Sequence, residues 1–315
     1  MFQSSFKYYK SKNPPPSFKD VFVIEEGHPL LKPHPVELTP GANFPGLLPT
    51  NRWKVYELTT RPGLLLFSNP FTETGQRQWM MRCLHDYPLH PNTTNILDKP
   101  AGTDWWQTLR HLPDASARRS HAKTLRWTTL GYQYDWTNKV YDESRRQPFP
   151  SELAALVRYV ASVLGYARFS PEAAIVNYYP TGTTLAGHTD HSEDDRSAPL
   201  FSFSFGQPAV FLIGGTSREE QPDAILLRSG DVLVMSGAVR LCYHAVPRVF
   251  TDAELPVGLE RSAERWTGDE SAEGSVEKRW SALEDEYLQQ SRININVRQV
   301  LRENQQTLDS PGECN

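Results

Sequence analysis

The chain has 315 residues and a mass of 35.8 kDa, and its 8 Trp, 13 Tyr and 14 Phe supply a core that excludes wholesale disorder. A net charge of −4 argues by itself against a nucleic-acid partner, but residues 251–290 hold 11 acids and 4 bases, so the remainder carries +3. No apolar run approaches the roughly 18 residues that span a bilayer, and three scattered cysteines (Cys83, Cys242, Cys314) argue against a disulfide framework or a zinc knuckle.

In chain order, the first segment is acid-poor, with Lys7, Lys10, Lys12 and Lys19 ahead of Asp20. It lacks the apolar stretch of a secretory signal, so the protein is expected not to be secreted, and its composition is compatible with a mitochondrial presequence. Residues 14–49 contain 9 of the 25 prolines, which bars regular helix and central strand. Residues 1–54 therefore read as an extended arm lying on the surface. Thr72 is placed to cap a helix through Trp79, Met80, Cys83 and Leu84. Trp105 and Trp106 sit in a shorter helix. Pro150-Ser151 opens a third, with Leu153, Leu156, Val157, Val160 and Leu164 at helical spacing and Gly165 ending it.

Beyond residue 173 the period changes to strand. Ala173–Tyr179, Leu200–Phe205, Ala209–Ile213, Ala224–Leu227, Asp231–Met235 and Ile293–Val300 are short β-rich runs parted by Gly, Pro and Ser clusters. An earlier run, Leu125–Trp136, is expected to join the same sheet. Many short strands with turn signals mean a sandwich or barrel. The acidic stretch 251–290 interrupts them as an insertion, with a helix expected around Trp280–Leu288.

His188-Thr189-Asp190 places an imidazole and a carboxylate on one face of an extended segment, and His244 offers a third ligand. Two histidines and one carboxylate leave three metal positions open, as in iron(II) oxygenases. His191 has the opposite strand parity and reads as a solvated neighbour, together with Ser192 to Asp195. The last run alternates strictly, with Ile293, Ile295 and Val297 on one side and Arg292, Asn294, Asn296 and Arg298 on the other. The two arginines, about 20 Å apart at the backbone, can lean inward to grip a dicarboxylate, for which a planar guanidinium fork is suited. Asn177 and Tyr179 share a face and offer an amide and a phenol to the same ligand. Cys242 reads as a small buried residue, Asp231 as a turn residue, and Arg240 as either a phosphate contact or a structural ion pair.

This order, Asn-x-Tyr, His-x-Asp, a distant His and Arg-x-Asn-x-Asn-x-Arg, resembles the AlkB family of iron(II)- and 2-oxoglutarate-dependent dioxygenases. The stretches around Ile175–Tyr179, Pro199–Gly206, Ser229–Asp231 and His244–Val249 are similar to its homologue-1 branch in particular. The resemblance implies a mainly β, α+β fold: a double-stranded β-helix (jelly-roll) core with N-terminal helices and a nucleotide-recognition lid. It divides the chain into the arm at 1–54, a dioxygenase domain at 55–305 and a tail at 306–315. Within the domain, 55–170 would hold helices and lid, and 171–300 the β-helix. It implies that His188, Asp190 and His244 bind iron(II), and that Asn177, Tyr179, Arg292, Asn294 and Arg298 hold 2-oxoglutarate, with O2 as oxidant. Asn296 stands where the family often has Thr.

Residues 105–136 interleave Trp105, Trp106, Trp127, Tyr132, Tyr134 and Trp136 with Arg110, Arg118, Arg119, Lys123 and Arg126, a pattern suited to stacking unpaired bases and neutralising phosphate. By resemblance, Trp106 and Tyr132-Gln133-Tyr134 face substrate. The implied activity is oxidative demethylation of 6-methyladenine in unpaired DNA and 1-methyladenine in tRNA, with oxidation of a methylcytosine in tRNA, by a monomer in nucleus, mitochondrion or cytoplasm. The competing readings are a nucleic-acid-binding module without catalysis and a zinc hydrolase built on His188, His191 and His244.

Overall fold

A computed structural model describes residues 1–36, 43–96, 103–251, 254–256, 259 and 280–308. Its helices are α1 Phe2–Lys10, α2 Glu73–Met81, α3 Trp105–Arg110, α4 Ala115–Ala122, α5 Ser151–Val163 and α6 Ala282–Leu288. The strands are β1 Val21–Val23, β2 Leu31–Pro33, β3 Val55–Leu58, β4 Leu64–Phe67, β5 Thr93–Thr94, β6 Trp127–Gly131, β7 Gln133–Asp135 and β8 Val140–Asp142. They continue with β9 Ala173–Pro180, β10 Leu185–His188, β11 Leu200–Gly206, β12 Ala209–Ile213, β13 Asp223–Leu227, β14 Val232–Met235, β15 His244–Val249 and β16 Ser291–Arg298.

Two sheets face one another. The major one runs β2-β3-β4-β14-β11-β16-β9-β6-β5 and the minor one β1-β13-β12-β15-β10, while β7 and β8 form a separate hairpin. This is a sandwich, as the strand series leads one to expect, in the jelly-roll form that the resemblance implies. The alternation in β16 explains how the sheets divide their faces. Ile293, Ile295 and Val297 enter the outer core beneath the helices, with Trp79, Leu156, Val160, Val176 and Phe203. Each fully buried aliphatic or aromatic side chain there contributes roughly 1.5–3 kcal/mol. Arg292, Asn294, Asn296 and Arg298 are left to point between the sheets, where they line a cavity.

The helix signals act as their chemistry requires. Thr72 Oγ1 accepts the Gly75 amide at 3.0 Å and caps α2, and α5 buries Leu153, Leu156, Val157 and Val160 along one face. Ser281 and Glu284 form a reciprocal capping box on α6. Of the acidic stretch, residues 252–253, 257–258 and 260–279 lie outside the described residues, as does Cys314.

Two segments differ from the sequence reading. The described part of the N-terminal 54 residues is not extended throughout. Phe2–Lys10 is helical with Phe2, Phe6 and Tyr9 buried, and Val21–Val23 and Leu31–Pro33 each add an edge strand to a sheet. The prolines exclude central strands, as expected, but edge pairing leaves one side of the backbone free and tolerates them. Leu125–Trp136 is not one strand. It breaks at Gly131, whose φ of +71° and closeness to Glu172 O (2.1 Å from a built Cβ) admit no side chain. The β6 half joins the major sheet and the rest turns away as the β7-β8 hairpin.

Candidate metal and keto-acid site

The site lies between the sheets in a cavity of about 530 Å3. Strands β10 and β15 pair antiparallel with His188 opposite His244, so the two imidazoles arrive side by side, ring centroids 4.3 Å apart. Asp190 lies just past the end of β10, its Oδ2 3.6 Å from His244 Nε2 and its Oδ1 3.9 Å from His188 Nε2. One ligand atom from each of these three residues lies within 4.8 Å of the others, the one such cluster among the described residues.

The histidines are held in the ligating tautomer. His188 Nδ1 donates to Ala186 O at 2.9 Å and His244 Nδ1 to Cys242 O at 3.1 Å, which leaves both Nε2 lone pairs aimed at the common centre. Burial, followed by the neighbouring His244, pulls the His188 pKa down to about 4, so its imidazole is neutral at pH 7. Asp190 is held well below the usual carboxylate range: burial opposes ionisation, but Arg298 and the two histidines outweigh it. A neutral His188 imidazole, a second imidazole and a carboxylate suit a divalent cation.

Arg292 sits on β16 opposite Tyr179 of β9, buried to 2% exposure. Its Nη2 donates to Ser204 Oγ at 2.7 Å, while Nε and Nη1 have no hydrogen-bond partner. Burial lowers its pKa to about 10, so it keeps its charge. A buried cation with two unsatisfied nitrogens is costly unless an anion completes it, and a carboxylate matches that fork. Asn177 and Tyr179 line the same cavity from β9, and Asn294 stands beside them, donating to Ser202 Oγ and Phe203 O.

Arg298 departs from the expected paired grip. Its Nη2 lies 2.9 Å from Asp190 Oδ1 and its Nη1 donates to Tyr141 Oη at 2.9 Å. It is therefore engaged with the Asp190 carboxylate, while Arg292 has no carboxylate beside it and keeps two nitrogens without a hydrogen-bond partner. Arg240 resolves as structural: Nη1 donates to Asp190 O at 2.7 Å, Nε to Ala198 O and Nη2 to Glu193 Oε2 at 3.0 Å. Glu193 is the residue that the sequence reading missed. It is 2% exposed and also accepts from Tyr141 Oη, yet it lies in a run of polar residues that resembles a solvated turn and gives no periodic signal. Replacing Arg240 by methionine should cost about 3–5 kcal/mol in urea unfolding, because it removes the nearer of the two guanidinium partners of the buried Glu193 carboxylate. An unchanged midpoint would show that the pair carries no weight.

The substrate-side candidates separate. Trp106 is 1% exposed and stacked on His85 at 5.1 Å, under the helices and away from the cavity. Tyr132 is buried with its hydroxyl donating to Glu143, and Gln133 is buried and bonded to Thr129 and Gly131. These three offer no free face: His85 covers Trp106, and the bend at Gly131 turns Tyr132 and Gln133 inward. Tyr134 does line the cavity, joined by Trp136 and Lys139 of the same hairpin. Trp136 is 45% exposed and packs edge-on to Tyr134. The His191 Nδ1 contacts Thr189 Oγ1 at 2.9 Å, and His191 is not in the ligand cluster, which removes the third histidine of the zinc-hydrolase reading.

A family model described as the 2OG-Fe(II) oxygenase superfamily matches residues 63–298. The nucleic acid dioxygenase ALKBH1 of Homo sapiens is 40% identical over 272 residues, spanning 82% of this chain and 70% of that protein. The DNA N(6)-methyladenine demethylase ALKBH1A of Arabidopsis thaliana is 33% identical over 283 residues, spanning 78% and 77%. The tRNA demethylase abh1 of Schizosaccharomyces pombe is 34% identical over 266 residues, spanning 78% and 82%.

Proposed function

The chain belongs to the 2OG-Fe(II) oxygenase superfamily, in its AlkB branch, and on that footing we propose that it oxidatively demethylates bases in nucleic acid, taking 6-methyladenine in unpaired DNA and 1-methyladenine in tRNA, and oxidises a methylcytosine in tRNA. Its cofactors are iron(II), 2-oxoglutarate and dioxygen. The observation that carries the reading is the His188-Asp190-His244 cluster facing, across one cavity, the unsatisfied guanidinium of Arg292.

His188, Asp190 and His244 would hold the metal. Arg292 would take the distal carboxylate of the keto acid, with Asn177 and Tyr179 flanking it, Asn294 bracing the wall and Arg298 fixing Asp190. Bound together, iron(II), 2-oxoglutarate and dioxygen supply oxidation of a C–H bond coupled to decarboxylation of the keto acid to succinate. An oxidised N-methyl group then leaves as formaldehyde. The protein's part is to aim one methyl group at the metal and exclude others. The hairpin supports this role, because an exposed indole beside the cavity is a stacking face for an unpaired base, which duplex DNA does not present unless a base is extruded. The proposal includes a monomeric enzyme, and DNA or tRNA substrates fit residence in nucleus or mitochondrion.

The test is turnover of oligonucleotides carrying 6-methyladenine or 1-methyladenine, and of methylcytosine-containing tRNA, with iron(II) and 2-oxoglutarate. Succinate is expected with each, and formaldehyde with the methyladenine substrates, both absent in His188→Ala. No product above that control would overturn the reading. Trp136→Ala should raise KM for the oligonucleotide about 5- to 150-fold, the equivalent of about 1–3 kcal/mol per stacked base, and leave KM for 2-oxoglutarate unchanged.

A further inference from the structure

Helix α1 packs on the outer face of the minor sheet, away from the cavity. Phe2, Phe6 and Tyr9 are buried there with Val210, Leu212, Ala224 and Ala245. Alternation along β12 and β15 sends Phe211, His244 and Val246 to the cavity side and Leu212 and Ala245 to the helix side.

Phe2 makes contacts that the rest of the helix does not. A Cβ built on Gly187 would fall 2.7 Å from Phe2 Cε1, and one built on Gly214 2.7 Å from Phe2 Cδ2. A side chain at either position would meet the ring, so glycine at both lets it sit against the backbone. The same ring stands 6.2 Å, centroid to centroid, from Tyr243. Gly187 immediately precedes His188, and Tyr243 immediately precedes His244. Gly214 donates its amide to Tyr243 O at 2.8 Å, and the neighbouring Ile213 pairs with His244 across the ladder. One aromatic ring thus touches the residue before each histidine.

The strand it supports is poorly held otherwise. β10 is an edge strand, joined to β15 through the pairs Leu185–Val246 and His188–His244 with a register shift between them. The far end of α1 is fixed to β15 as well: Arg248 Nε donates to Tyr9 O at 2.9 Å and its Nη2 to Ser11 O, which satisfies carbonyls that a helix end leaves open.

We infer that Phe2 is a positioning residue for the metal site, its ring backing Gly187 and Tyr243 and so fixing where His188 and His244 present their Nε2 atoms. The inference rests on the proposed ligand roles of those histidines. It assigns α1 a task beyond closing the hydrophobic core, since the other buried aromatic residues of the helix, Phe6 and Tyr9, lie one and two turns further along it.

The experiment is a cobalt(II) titration of metal-free protein, read by visible absorption, on wild type, Phe2→Ala, Phe2→Leu and Phe6→Ala, with thermal unfolding of each. Phe2→Ala is expected to weaken cobalt(II) binding about tenfold, in the range typical of residues that orient metal ligands, and to alter the absorption envelope. Phe2→Leu keeps most of the buried volume and should give a smaller loss of the same sign. Phe6→Ala should lower Tm comparably while binding cobalt(II) as wild type does. Wild-type affinity in both Phe2 variants, or an equal loss in Phe6→Ala, would overturn the positioning role. Absence of cobalt(II) binding by wild type would instead overturn the ligand assignment beneath it.

Discussion

Asp190→Ala should abolish metal binding and turnover together and cost about 3–5 kcal/mol of stability even in the metal-free protein. The carboxylate is 9% exposed, it contributes one of the three convergent ligand atoms, and it is the near partner of the buried Arg298 guanidinium at 2.9 Å. Its removal strands that charge in a low-dielectric interior, with Tyr141 Oη and the more distant Glu193 carboxylate as the remaining partners. Adding Arg298→Met to Asp190→Ala should return much of the lost stability without restoring any turnover, which separates the structural pair from the ligand role. Urea unfolding and cobalt(II) titration of the single and double variants provide the check. Metal affinity retained in Asp190→Ala would remove Asp190 from the site.

Arg292→Met should raise KM for 2-oxoglutarate by at least about 30-fold, the lower end of the roughly 2–5 kcal/mol carried by a buried charge pair. A less expected result accompanies it. In the absence of keto acid the variant should melt above wild type, because the substitution removes a buried cation whose Nε and Nη1 lack partners. Wild type should gain about 2.7 kcal/mol from 2-oxoglutarate at a hundredfold excess over its Kd, and Arg292→Met at the same concentration no more than about 0.9 kcal/mol. Thermal unfolding with and without the keto acid measures both effects. If 2-oxoglutarate stabilised the variant as much as wild type, another residue would be its carboxylate partner.

Local pattern brought forward the residues that carry these predictions, and the family resemblance gave them their roles. His188 and Asp190 stand two apart, so any extended backbone puts them on one side, and the strict alternation of Arg292 to Arg298 sorts polar from apolar before any partner strand is known. Thr72 announces a helix start by accepting the Gly75 amide, and Pro150 by its fixed φ, each a matter of a few neighbouring atoms. Short-range geometry is written in short-range sequence.

What needed the tertiary structure is everything that depends on which distant segment arrives where. Glu193 looks like a solvated turn residue until Arg240 and Tyr141 close over it. Trp106 and Tyr132 have the composition of a base-stacking surface, yet His85 in one case and the bend at Gly131 in the other turn them into core, while Trp136 is left at the cavity mouth. Nothing in nine residues of amphipathic N-terminus tells that Phe2 will rest on Gly187 and Gly214, nearly two hundred residues or more away. An aromatic side chain is equally content in a core or against a ligand, since both remove it from water, and only the packed fold decides which apolar surface it meets.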